Sequence, residues 1–108
     1  MALIFEWDDG KAHINVRKHN VSFEEAKTVL NDPHALTFFD ETHSGDEERF
    51  ISLGISSANR VLLVVHTEYD TNDESMIIRL ISCRKATASE RKTYERSEER
   101  RVGKECRL

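Results

Sequence analysis

The run Arg79-Leu80-Ile81-Ser82-Cys83-Arg84-Lys85-Ala86-Thr87-Ala88-Ser89-Glu90-Arg91-Lys92-Thr93-Tyr94 decides how the chain is read. Met76, Ile78 and Leu80 alternate with Ile77, Arg79 and Ile81, so both faces of this strand are apolar apart from Arg79. A strand apolar on both faces is a buried strand, and a guanidinium set into one must be paired or must line a site. Thr87 and Glu90 stand at the N-cap and N3 positions of a capping box, which predicts a helix running through Arg91 and Tyr94. Arg84 and Lys85 fall in the short turn between strand and helix. Sites tend to be built on strand ends and loops held by a rigid sheet. Arg79 and Arg84 at such a junction point to an anionic ligand.

Upstream, residues 3–7 form a short apolar run suited to a first strand. Asp8 can cap a helix through Lys11, Ile14, Asn15 and Lys18, and Asn20 stands where that helix would end in a left-handed residue. Ser22-Phe23-Glu24-Glu25 reads as a second capping box with Val21 as staple. Phe23, Ala26, Val29 and Leu30 share one face of the helix that follows, which ends at Asn31-Asp32-Pro33. Strands are expected at 35–39, 49–56, 60–69 and 75–83, with polar loops at 40–47 and 70–74. The order β-α-α-β-β-β-β-α predicts an α+β domain, a small antiparallel sheet packed by helices.

A chain of 108 residues makes one domain. No apolar run approaches a membrane span and no signal peptide opens the chain, so a cytoplasmic protein without membrane contact is expected. Cys83 and Cys106 do not make a disulfide framework, which fits a reducing compartment. The net charge of −4 argues against a general electrostatic binder of nucleic acid. Residues 96–107, RSEERRVGKECR, match the in-frame translation of a short-read sequencing adaptor. The native domain is therefore expected to be 1–95, with 96–108 a non-native tail. The tail holds five Lys/Arg and three Asp/Glu, leaving eleven against seventeen in residues 1–95, a net of −6.

Several residues could carry chemistry. Glu48 and Arg49 open a strand after the polar segment His43-Ser44-Gly45-Asp46, and could form a base and phosphate-binding pair or simply a solvated loop. His66 interrupts an apolar strand, as a catalyst or as a hydrogen-bonded core residue. Lys18 and His19 close a helix, where a cation also suits the dipole. His19, His34, His43 and His66 show no metal-ligand spacing, and the sequence has no P-loop or Gly-rich dinucleotide turn, so neither a metal nor another cofactor is expected.

Phe5-Glu6-Trp7-Asp8, Lys11, Asn15, Lys18-His19, Val21-Ser22-Phe23-Glu24-Glu25-Ala26, Asp32-Pro33, Asp40, His43-Ser44, Glu47-Glu48-Arg49, Gly54, Arg60, Val65-His66-Thr67, Ile78-Arg79, Ile81-Ser82, Arg84, Ala86-Thr87, Glu90-Arg91 and Tyr94-Glu95 occur in this order. In these motifs residues 3–95 closely resemble the BrnT toxins of type II toxin–antitoxin pairs. The resemblance implies a RelE-like fold, cofactor-free ribonuclease activity on an RNA substrate, and a BrnA-type antitoxin partner. It also implies that operator DNA is reached only through the antitoxin. Three positions depart from the family pattern: Asn20 replaces the usual Gly, Cys83 a common Ala, and Tyr69 the Arg that commonly follows His-Thr-Glu.

Metal-free RNA cleavage requires a base near the 2′-hydroxyl, cations on the phosphorane and an acid for the leaving oxygen. On the implied activity, Arg79 and Arg84 would hold the scissile phosphate with Arg49 or Arg60 in support. His66 or Glu48 would be the base, and Lys18, His19 or Tyr94 would contact the RNA backbone or leaving group. The alternative is a catalytically weakened module that binds the antitoxin and acts as co-repressor of its operon.

Overall fold

The computed structural model describes residues 2–41, 47–71 and 73–106; the expected loop motif at His43 lies outside them. The elements run β1 (Ala2–Glu6), α1 (Asp9–His19), α2 (Phe23–Val29), β2 (Leu36–Phe39), β3 (Arg49–Ile55), β4 (Val61–Asp70), β5 (Ser75–Lys85) and α3 (Ala88–Cys106), the expected order. They form one five-stranded sheet, ordered β1-β5-β4-β3-β2. The pairs from β2 to β5 are antiparallel, whereas β1 adds to β5 in parallel. That parallel edge was not expected: β1 and β5 lie at opposite ends of the chain, and local pattern carries no information on their pairing. No helix among the described residues is long and apolar enough to cross a membrane.

Helix ends follow local chemistry. Asp8 accepts from the Lys11 amide at the start of α1, and Asn20 ends it at φ 57°, ψ 36°, the left-handed cap that Asn tolerates. Thr87 and Glu90 complete a reciprocal capping box: the Glu90 amide donates to Thr87 Oγ1 (3.2 Å) and the Thr87 amide to Glu90 Oε1 (2.8 Å). The second box is only half formed. Ser22 Oγ accepts from the Glu25 amide (3.0 Å), but the Glu25 carboxylate turns instead to Arg60 and Ser56.

One sheet face carries α2. Val21, Phe23, Ala26 and Val29 pack there on Leu62, Val64, Ile78, Leu80 and Cys83, with Trp7 edge-on to Phe23 at 5.9 Å. Gly54 lies beneath the end of α2, where an added Cβ would come within 3.0 Å of Ala35 Cβ and Asp32 Oδ2. Asp32 also accepts from Ile55 N and from the Tyr94 hydroxyl (2.9 and 2.6 Å), joining β3 and α3 to the α2–β2 turn. These bonds outweigh the cost of its burial and hold the Asp32 carboxyl below the ordinary range.

In α1, Ile14 and Val16 point to solvent while Asn15 is buried. The Asn15 amide donates to Val21 O and Cys83 O, both at 2.9 Å, and its oxygen accepts from Cys83 N at 3.1 Å. Burial pushes the adjacent Cys83 thiol up to about 11, so it stays protonated. Asn15→Ala leaves at least two buried backbone groups without partners and is expected to lower unfolding stability by about 2–4 kcal/mol. Urea unfolding measures this; a loss below about 0.5 kcal/mol would show that α1 is held by other contacts.

Candidate active site

The sheet face opposite α2 is built from cross-strand rows. Arg49 pairs with Thr67, Thr67 with Arg79, and Arg79 with Glu6, so one row crosses β3, β4, β5 and β1. Phe38, Ile51, Val65 and Ser82 form the row on one side, and Tyr69, Ile77 and Ile4 the row on the other. The register breaks at Val65/His66: Val65 faces Ser82 but His66 faces Leu80, leaving Ile81 as an extra residue in β5. This bulge lets Arg79 face outward while Leu80 and Cys83, three apart, both enter the core.

A cleft of about 170 Å³ opens beside that bulge, lined by Asp8, Lys11, Glu47, Arg49, Arg79, Leu80 and Ile81. Arg79 is 44% exposed, with Glu47 Oε1 3.8 Å from its Nη1. Three cations and two carboxylates give the cleft a positive balance in an acidic chain, which suits a phosphodiester. Thr67, only 4% exposed, lies between the two arginines with its hydroxyl unpartnered. Among the described residues, no three His, Cys, Asp or Glu side chains gather as metal ligands.

Of the residues expected from the sequence, Arg79 and Arg49 meet in this cleft. Arg84 lies on the same face two rows away, about 13 Å along β4. There its guanidinium is held by both Glu90 oxygens at 2.8 and 3.0 Å, and that pairing keeps the Glu90 carboxyl down near 2. Arg60 is engaged by Glu25 and borders a separate groove with Lys85 and Arg91. Tyr94 is buried, its hydroxyl given to Asp32. Lys18 and His19 are exposed at the far end of α1, about 10 Å along the helix from Lys11.

His66 and Glu48 belong to the other face. His66 is 1% exposed, stacked on Phe50 at 6.0 Å, with Nε2 2.8 Å from Ser52 Oγ. Its Nδ1 is 3.5 Å from Glu68 Oε2, too long for a hydrogen bond. Burial pushes the imidazole down to about 4, so it is neutral near pH 7. Glu48 alternates away from Arg49 and is close enough to help Asp70 and burial raise the Glu68 carboxyl. Glu47 stands in the motif Glu47-Glu48-Arg49 without a distinct chemical signal of its own, because its approach to Arg79, 3.8 Å away, is a tertiary contact. Lys11 is legible as a helix residue and as one of the motif positions but not as a neighbour of Arg79, because the approach of α1 to β5 is a tertiary event.

These features define a class: a small α+β domain with two arginines and a lysine gathered at a cleft on the sheet face opposite α2. A family model described as "Ribonuclease toxin, BrnT, of type II toxin-antitoxin system" matches residues 7–90, and the chain belongs to that family. The crystal structure of the Brucella abortus ribonuclease toxin BrnT shares the fold, with TM-score 0.56 and 21% identity over 81% of this chain and 99% of that one. No curated protein matches the chain.

The buried imidazole makes stability depend on pH. Between its ordinary value near 6.5 and its folded value of about 4, the unfolded chain binds a proton that the folded chain refuses. The contribution of neutral His66 is therefore complete above about pH 6.5 and lost as pH falls towards 4, up to about 3 kcal/mol. Glu68, raised by burial, acts with the opposite sign at the lower end of that window. Urea unfolding from pH 7.5 to 4.5 should give a slope that His66→Gln flattens. An unchanged slope in His66→Gln would assign the acid sensitivity elsewhere.

Proposed function

We propose that this chain is a metal-independent endoribonuclease, the cytoplasmic toxin of a pair whose antitoxin is of BrnA type. The observation that carries the reading is the convergence of Arg49, Arg79, Lys11 and Glu47 on one small cleft. In the proposed reaction the 2′-hydroxyl of RNA attacks the adjacent phosphorus and the 5′-oxygen leaves, giving a 2′,3′-cyclic phosphate and a 5′-hydroxyl. Arg79 and Arg49 hold the non-bridging oxygens and stabilise the charge that grows on them. Glu47 takes the proton of the attacking hydroxyl, and Lys11 supplies one to the leaving oxygen. The chain's own cations meet the charge requirement of the phosphorane, so no metal is invoked. Operator DNA is contacted through the antitoxin, and residues 96–108 take no part.

His66 serves here as a neutral packing and hydrogen-bonding residue, and Arg84 and Tyr94 as fasteners of α3. Induced expression in a bacterial host should arrest growth, and co-expressed antitoxin should restore it. Arg79→Ala is expected to abolish the arrest and lower cleavage at least 100-fold while leaving the circular dichroism melt unchanged. Glu47→Gln should cost about 10²–10⁴-fold. Cleavage should survive EDTA and yield cyclic phosphate ends. Full toxicity in folded Arg79→Ala, or loss of activity to chelator restored by a divalent metal, contradicts the mechanism. Growth arrest absent from the wild type, with antitoxin binding intact, would favour the co-repressor reading.

A further inference from the structure

The row beside the arginines contains a feature that phosphate binding does not use. Tyr69 is 43% exposed on the same sheet face, in the row Tyr69–Ile77–Ile4 that adjoins Arg49–Thr67–Arg79–Glu6. Its hydroxyl donates to Glu6 Oε1 at 3.0 Å, and Glu6 is the register partner of Arg79 across β1 and β5. The ring is thus anchored at its polar end across β5, on the β1 residue that pairs with Arg79. Two residues along a strand advance about 7 Å, so the ring stands about one side-chain row from the guanidinium row. The buried hydroxyl of Thr67 lies unpartnered between Arg49 and Arg79 in the adjoining row.

Tyr69 does not line the cleft, so a phosphate held there would leave its exposed ring free, whereas a nucleotide also brings a flat base about one residue row away. We propose that Tyr69 is the stacking platform for an unpaired base flanking the phosphate held by Arg49 and Arg79, and hence that the cleft takes single-stranded RNA. The proposal rests on the ribonuclease reading and adds the substrate class to it. A base inside a duplex has both faces covered by its neighbours and has none to give the ring. The Tyr69 hydroxyl is committed to Glu6, so the platform offers a π-face without reading a base edge, a combination that tolerates every base. Arginines on the phosphate and an aromatic under the neighbouring base are the complementary pair by which sequence-tolerant single-strand binders work.

The test uses the intact chain and a seven-nucleotide 2′-O-methyl oligoadenylate, which cannot be cleaved, with 2-aminopurine at its centre or an abasic unit there. Wild type should quench the 2-aminopurine on binding. Tyr69→Leu should bind the intact oligonucleotide at least 5-fold more weakly, and Tyr69→Phe, which keeps the ring, should stay within about 2-fold of wild type. The abasic oligonucleotide should bind wild type and Tyr69→Leu equally. If Tyr69→Leu, folded by circular dichroism, binds the intact oligonucleotide as tightly as wild type while Arg79→Ala does not, the platform is overturned and the ribonuclease reading stands. If wild type binds no RNA, the ribonuclease reading falls and takes the platform with it. If Tyr69→Leu loses only antitoxin binding or self-association, this face is a protein docking surface and the proposal fails.

Discussion

The molecule depends on how the open half of β5 is closed. Strand β1 covers β5 only as far as the Glu6–Arg79 pair, yet β5 continues to Lys85. Beyond Arg79 its outer edge would present unpaired backbone groups in a buried place. Asn15 supplies the missing neighbour: its carboxamide takes both the N–H and the C=O of Cys83, as an adjacent strand would, and a third bond reaches Val21. Among the apolar residues of helix α1, Ala12 packs on the core whereas Ile14 and Val16 are exposed. A buried amide with good partners fixes register as well as contact, because any shift leaves several groups unpaired at once. Through it the first turn of α1, with Asp8 and Lys11, is set at the rim of the cleft, and the turn that starts α2 is pinned to the sheet.

The bulge at Ile81 is the second device. One extra residue in β5 changes the phase of the strand between Arg79 and Cys83, so the cation stays outside while the thiol goes in. Bulges bend a strand and increase its twist, and the cleft lies where this one sits. The same residue explains why simple alternation describes the strand up to Ile81 and fails after it.

Much of the fold was legible because its signals are local. Asp8, Asn20, Ser22 and Thr87 all act on backbone groups within four residues, and all four cap as expected. What could not be read depends on partners distant in sequence: the parallel β1–β5 pair, the diversion of Glu25 to Arg60, and Asn15 on Cys83. The site was half legible for the same reason. Arg79 was conspicuous as a charge in a hydrophobic strand, and Arg49 as a strand opener. Arg84 looked equally available because Glu90 was read only as a cap, while the structure has it close the cap and bind the guanidinium together. His66 reads as a catalyst or as a core residue until its neighbours are known, and Phe50 and Ser52 enclose it; Glu47 rather than Glu48 reaches the cleft through a fold-level contact with Arg79.

The charge of the chain then has a consistent meaning. In an acidic body, Lys11, Arg49 and Arg79 concentrate positive charge at one cleft on the sheet face opposite α2. The most direct test is amide chemical-shift mapping with the uncleavable oligonucleotide. Perturbations are expected at Glu47, Arg49, Thr67, Tyr69 and Arg79 and in the first turn of α1. Shifts confined to the groove of Arg60, Lys85 and Arg91, with the sheet face unmoved, would contradict the account.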